Sequence, residues 1–161
     1  MPKMRVGWIT FTCSEDSTIL FLELLNKHFF EWAEKIDFVY FNALKKSGNI
    51  YGLKDVDVFF VEGAISNDDE KKKLEYIRSI SKYVVAIGAC ACTGMPSAQR
   101  NFFDEKTKEL IRARLEKFHL NENVLSVPQV IKVDDIVMGC PMNEDAFVKI
   151  LNKYLALCGA Q

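Results

Sequence analysis

Apolar and polar positions along the chain fall into two alternating regimes. Short apolar or β-branched runs recur at Met4–Thr12, Asp37–Asn42, Asp55–Val61 and Lys82–Gly88, each bounded by charged or glycine-bearing segments. Runs of that length and content predict strands. Longer segments with helical spacing lie between them. In TILFLELLNKHFFEWAEK, Ile19, Leu22, Leu25, Phe29 and Trp32 share one helical face, and Asp16 or Ser17 can cap its start. Asn67 or Asp68 opens DDEKKKLEYIRSIS, whose acidic start and basic middle suit the helix dipole and i,i+4 pairing.

The second half reads less regularly. Pro96 to Asn101 predicts a helical turn and Lys106 to Phe118 an exposed helix. Val124 to Val133 is extended but carries Pro128, which predicts an edge or a surface strap and not a central strand. Ile136 to Cys140 leads into Pro141, and Asn143 to Leu157 closes the chain as an amphipathic helix packing through Phe147, Ile150, Leu151, Tyr154 and Leu155. Strand and helix alternating in this way imply an α/β fold, a mostly parallel sheet with helices on both faces. A flavodoxin-like three-layer sandwich follows, with residues 1–161 as one domain and no internal repeat or linker.

Composition narrows the function classes. Lys and Arg number 21 against 22 Asp and Glu, so no electrostatic excess favours nucleic acid or an anionic membrane. No stretch approaches the roughly 20 apolar residues of a spanning helix, and Val6–Phe11 is too short for a signal-peptide core. A cytoplasmic location is expected. Five cysteines, an odd number without an export signal, point away from disulfides and toward metal, redox chemistry or burial.

The chemistry gathers around Val84–Pro96, VVAIGACACTGMP, a buried strand that runs into a loop bearing two cysteines. Parallel sheets open all their C-terminal strand ends on one edge, so Cys13, Glu62 and Cys90, each following a strand, should line one crevice. Thiolates converging from distant loops suit an iron–sulfur cluster or a soft metal. Helix N-termini behind the turns favour an anionic centre, and Gly88, Gly94 and Gly139 let backbone approach a bulky inorganic core.

Four segments resemble the cluster-binding module of nickel–iron hydrogenase small subunits and of the related 20 kDa subunit of NADH:quinone oxidoreductase. They are Cys13-Ser14-Glu15-Asp16, Val61-Glu62-Gly63-Ala64-Ile65, Ala86-Ile87-Gly88-Ala89-Cys90-Ala91 and Gly139-Cys140-Pro141-Met142. The family pattern is a strand ending in C-x-x-C, a V-E-G turn, an I-G-x-C-A loop and a late G-C-P-P turn. Lys132-Val133-Asp134 is similar to the cytoplasmic, sulfhydrogenase-type branch. The resemblance runs from about Met4 to Pro141 and implies a 4Fe–4S cluster held by Cys13, Cys90 and Cys140, with Glu62, Gly88 and Gly139 beside it. Asp16 stands where the second cysteine of C-x-x-C is expected. The resemblance places this carboxylate at the vacant corner, and Cys92 is the alternative, since two positions apart in an extended segment face the same way. A three-iron cluster or an exchangeable fourth iron is the corresponding variant. With no further Cys or His group, a single cluster is expected. The implied partners are a hydrogenase-like large subunit, which carries catalysis, and an electron donor or acceptor, ferredoxin-like or flavoprotein.

Other readings remain beside this one. A cluster-free scaffold or regulatory subunit of an oxidoreductase complex would explain Asp16. A flavin or nucleotide binder needs a phosphate loop, but Cys13–Ser17 lacks glycine and carries two acids. Structural zinc lacks paired C-x-x-C spacing. Cys158 reads as a buried thiol, Trp8 and Trp32 as core, His28 and His119 as structural or exposed, and Lys71–Lys73 as a solvated helix face.

Overall fold

A computed structural model describes residues 3–159. Its strands are β1 (Met4–Thr10), β2 (Ile36–Phe41), β3 (Val56–Glu62), β4 (Ser81–Ile87) and β5 (Asp135–Val137). They pair in parallel throughout, in the order β2-β1-β3-β4-β5. This is the flavodoxin-like order, in which the winding direction reverses between β1 and β3 and leaves a crevice at their C-terminal ends. The helices are α1 (Asp16–Lys35), α2 (Asp68–Ile80), α3 (Gly88–Thr93), α4 (Glu105–Lys117), α5 (Val127–Val130) and α6 (Glu144–Leu157).

The two sheet faces are packed with different chemistry. On one, Met4, Val6 and Trp8 of β1 meet Phe21, Leu24 and Trp32 of α1 and Phe147, Leu151 and Tyr154 of α6. Trp8 lies 4.5 Å from Phe21 between ring centroids, so this face is largely aromatic. On the other, Val61, Val84 and Ala86 pack against Leu74 and Ile77 of α2 and Val127 of α5. Gly7 is required between the two: a Cβ there would sit 2.4 Å from the Phe59 ring on the neighbouring strand. Among the described residues no helix is long and apolar enough to cross a membrane.

Two local expectations are corrected, and one element is added. Helix α1 buries Thr18, Phe21, Leu24 and Trp32, while Ile19 and Phe29 are 54% and 56% exposed. The helix is apolar on more than one side, so spacing alone admits two stripes, and the sheet selects the one carrying Phe21 and Trp32. The Val124–Val133 strap is not extended throughout. Leu125 bridges Ile65, and α5 then turns, with Gln129 Oε1 accepting the Ser126 N–H at 2.8 Å. Pro128 in a first helical turn sacrifices no bond, because those N–H groups lack intrahelical partners anyway. Finally, the residues leading into Pro141 include a fifth strand, only three residues long. Just before it, Asp134 Oδ2 accepts from Val84 N (2.8 Å) and from the Arg78 guanidinium (2.7 Å). Asp135 accepts from Lys153 and from the Tyr154 hydroxyl.

Candidate functional site

Four strand ends build the site. Cys13 follows β1, Glu62 ends β3, Gly88 and Cys90 follow β4, and Gly139 and Cys140 follow β5. Cys13, Asp16, Glu62, Gly88, Cys90, Gly139 and Cys140 all line one small cleft at this edge, together with Ser14 and Ser17. Backbone bonds lace the loops: Thr12 exchanges bonds with Ala64 (3.1 and 2.9 Å), Phe11 N donates to Glu62 O (2.8 Å) and Ala89 N to Gly139 O (2.7 Å). Met142 N donates to Ser17 Oγ at 3.1 Å and closes the circle.

Glycine is needed where these loops meet. Gly139 has φ +121°, and a Cβ there would lie 2.4 Å from Pro141 O. Gly88, at φ +81°, leaves the cleft floor open beside Ser17 Oγ and Glu62. Both positions use a conformation that side-chain-bearing residues avoid, so the floor is bare backbone.

Glu62 is 3% exposed and is no solvated turn residue. Its carboxylate accepts from Ser17 N (2.9 Å), Thr18 N (3.0 Å) and Thr18 Oγ1 (2.5 Å). It therefore caps α1 from a different strand, and neither Asp16 nor Ser17 does so; the N-cap is Glu15, in the left-handed region at φ 63° with no side-chain cap. Trp8 Nε1 donates to Thr18 Oγ1 at 2.8 Å and ties this cap to the aromatic core.

The thiols differ in setting. Cys90 is buried, Cys13 half-buried and Cys140 exposed. Burial, reinforced by the charges of Glu62 and Cys90, pushes Cys13 up to about 12, although the Glu15 N–H on its sulfur at 3.2 Å pulls the other way. Cys140 is raised by partial desolvation and by Asp16, whose Oδ2 lies 3.9 Å from its sulfur. Asp16 in turn accepts from the Ser14 hydroxyl at 2.7 Å. Cys92 is absent from the cleft wall. Gly88–Thr93 is a helical turn and not the loop the sequence suggests, so positions 90 and 92 are about 200° apart around its axis. The Cys92 sulfur meets Ala86 O (3.5 Å) and Val137 O (3.6 Å) under the sheet end, and burial pushes it up to about 11. Cys158, His28 and His119 lie elsewhere; His28 stacks on Trp32 at 4.7 Å.

Among the described residues, no three His, Cys, Asp or Glu side chains converge as a single metal ion would require. Among the candidate donors, Cys140 Sγ and Asp16 Oδ2 lie 3.9 Å apart. The cleft offers three soft thiols, one carboxylate and a glycine floor. Sequence reasoning missed Ser17 and Thr18 as partners of Glu62, and Ser97, whose Oγ lies 3.2 Å from the Cys90 sulfur. Polar Thr10 and Thr12, interrupting an apolar strand, were the visible signal of hydrogen bonding at this edge; Ser97 has none.

Known proteins resemble this chain in sequence and in fold. The delta subunit of the NAD-reducing hydrogenase HoxS from Cupriavidus necator is 28% identical over 109 residues, covering 58% of this chain and 52% of that protein. A subunit of the vhu F420-non-reducing hydrogenase of Methanocaldococcus jannaschii is 29% identical over 167 residues, covering 92% and 56%. The chain thus spans about half the length of these two relatives. Among solved structures, an NAD+-reducing [NiFe]-hydrogenase in the H2-reduced state has a chain that superposes with a TM-score of 0.81 at 21% identity, covering 96% of this chain and 92% of that one. At that identity the likeness is one of fold. The sequence pattern described as "NADH ubiquinone oxidoreductase, 20 Kd subunit" matches residues 15–154, and the chain belongs to that family.

Proposed function

We propose that this chain is an electron-transfer subunit that relays electrons through one 4Fe–4S cluster between a hydrogenase-like catalytic large subunit and an acceptor or donor, ferredoxin-like or flavoprotein. Cys13, Cys90 and Cys140 would hold iron, with Asp16 at the fourth corner as a harder, more exchangeable donor and a three-iron form as its consequence. Cys92, turned under the sheet, is the less favoured fourth ligand. Glu62, Gly88 and Gly139 shape the seat. The observation that carries the reading is the convergence of three thiols and one carboxylate from loops more than a hundred residues apart onto one cleft. When bound, the cluster supplies one-electron storage; the chain's residues hold it, exclude water and set its potential. Catalysis belongs to the large subunit, and the assembly is cytoplasmic.

Anaerobic reconstitution of the full chain tests this. Iron, acid-labile sulfide and a charge-transfer absorption are expected, lost in Cys13→Ser, Cys90→Ser and Cys140→Ser and held more firmly in Asp16→Cys. Wild type lacking all three signals would sink the reading. A cluster-free scaffold is the second reading, favoured by Asp16 already being paired with Ser14. On that reading Cys13→Ser and Cys140→Ser leave complex assembly and activity unchanged.

A further inference from the structure

Cys90 is the most buried of the three cleft thiols, and its sulfur meets Ser97 Oγ at 3.2 Å. Ser97 opens the short 3-10 segment Ser97–Phe102 behind α3. Its hydroxyl also reaches Thr12 O at 3.2 Å. A serine has one proton to give. With Cys90 as a free thiol, the consistent arrangement is S–H donating to Ser97 Oγ and Ser97 O–H donating to Thr12 O.

We propose that Ser97 is a positioning residue for a Cys90–iron bond: its hydroxyl turns from the Thr12 carbonyl to the Cys90 sulfur and raises the potential of the cluster. This rests on the cluster reading above. Ligation leaves the sulfur with no proton, an acceptor only. The Ser97 proton is free to follow, because Thr12 O keeps its bond from Ala64 N at 2.9 Å and is not orphaned in a buried place. The turn needs no movement of either backbone, since both acceptors are already at 3.2 Å. The other two thiols are not set against a hydroxyl in this way: Cys13 already accepts the Glu15 N–H, and Cys140 faces the Asp16 carboxylate. A hydrogen bond to a cluster sulfur withdraws charge and favours the more negative, reduced state, which is one of the ways proteins tune such centres.

Redox titration of anaerobically reconstituted wild type, Ser97→Ala and Ser97→Thr, followed by electron paramagnetic resonance, tests the assignment. At the wild-type midpoint, Ser97→Ala is expected to lower the reduced-to-oxidised ratio by up to about tenfold, equivalent to about 59 mV for a one-electron couple. Ser97→Thr, which keeps the hydroxyl, is expected to retain the wild-type value. In wild type the iron–thiolate stretching bands should shift in D2O by more than in Ser97→Ala, since the exchangeable Glu15 N–H on Cys13 shifts both. A loaded Ser97→Ala protein with the wild-type potential, or a D2O shift no larger in wild type than in Ser97→Ala, overturns the assignment while leaving the cluster in place. Absence of iron and sulfide from wild type overturns it together with the reading it rests on.

Discussion

The four long helices begin in two different ways. Helices α2, α4 and α6 are each capped by the residue immediately ahead: Asn67 accepts from Glu70 N (2.9 Å), Asp104 from Thr107 N (2.7 Å) and Asn143 from Ala146 N (2.8 Å). Helix α1 has no such cap and borrows Glu62 from the end of β3. A local cap forms as soon as its helix does. The cap of α1 exists only once β1, β3 and α1 have assembled, so it reports tertiary structure. It also leaves the side chains of Cys13, Ser14 and Asp16 free of capping, and those three line the cleft instead. The helix that starts at the site is the one whose start is held from elsewhere.

Breaking the borrowed cap should cost most. Glu62→Leu strands two buried N–H groups and leaves the Thr18 hydroxyl only Thr10 Oγ1 to donate to; urea unfolding of the apo chain is expected to show a loss of about 4 kcal/mol, from charge-assisted bonds of roughly 1.5–3 kcal/mol each. Glu62→Gln, which keeps one accepting oxygen, should lose about half of that. Removing a local cap should cost less: Asn67→Ala is expected to destabilise by about 1 kcal/mol in the same assay.

The contrast between the two α3 thiols gives a smaller effect with a pH signature. Cys92→Ala should cost under about 1 kcal/mol at neutral pH and leave the iron content of the reconstituted chain unchanged. The Cys92 thiol lies at about 11 in the folded chain against 9.0 for an ordinary cysteine. The fold therefore holds the proton more tightly than the unfolded chain, a contribution fully present below pH 9.0 and lost as pH rises toward about 11. Chemical unfolding across that range should fall less steeply for Cys92→Ala than for wild type. Asp104→Ala should have the smallest effect, because α4 buries none of its residues. Faster amide exchange in the first turn of α4, with an unmoved global midpoint, is the expected outcome.

The sheet and its edge were readable because they depend on short-range patterns. Four strands, their parallel order and the placement of Cys13, Glu62 and Cys90 at strand ends follow from apolar runs and one topological rule. Membership of the family was readable from the four motifs. What escaped depends on contacts between segments. The capping of α1 needs a residue far away in the chain, and the choice of its buried stripe needs the sheet. The separation of Cys90 from Cys92 needed a helical turn where six residues, GACACT, carry no strong helix signal. Helix α5 was within reach: Ser126 and Gln129 stand at capping-box spacing, but Pro128 between them reads first as a strand breaker.

The short β5 carries a consequence for association. Edge strands offer unpaired backbone groups to any passing chain, and proteins blunt them by shortness and charge. Here β5 presents three residues, and Asp134 and Asp135 at its start are already bound to Arg78, Lys153 and Tyr154. Asp134 also occupies the Val84 N–H just beyond the pairing. A foreign strand would find few rungs to bond and a pair of engaged carboxylates in the way. The device that anchors the last strand before the Gly139–Cys140 turn thus also guards this edge of the sheet against pairing with a foreign strand.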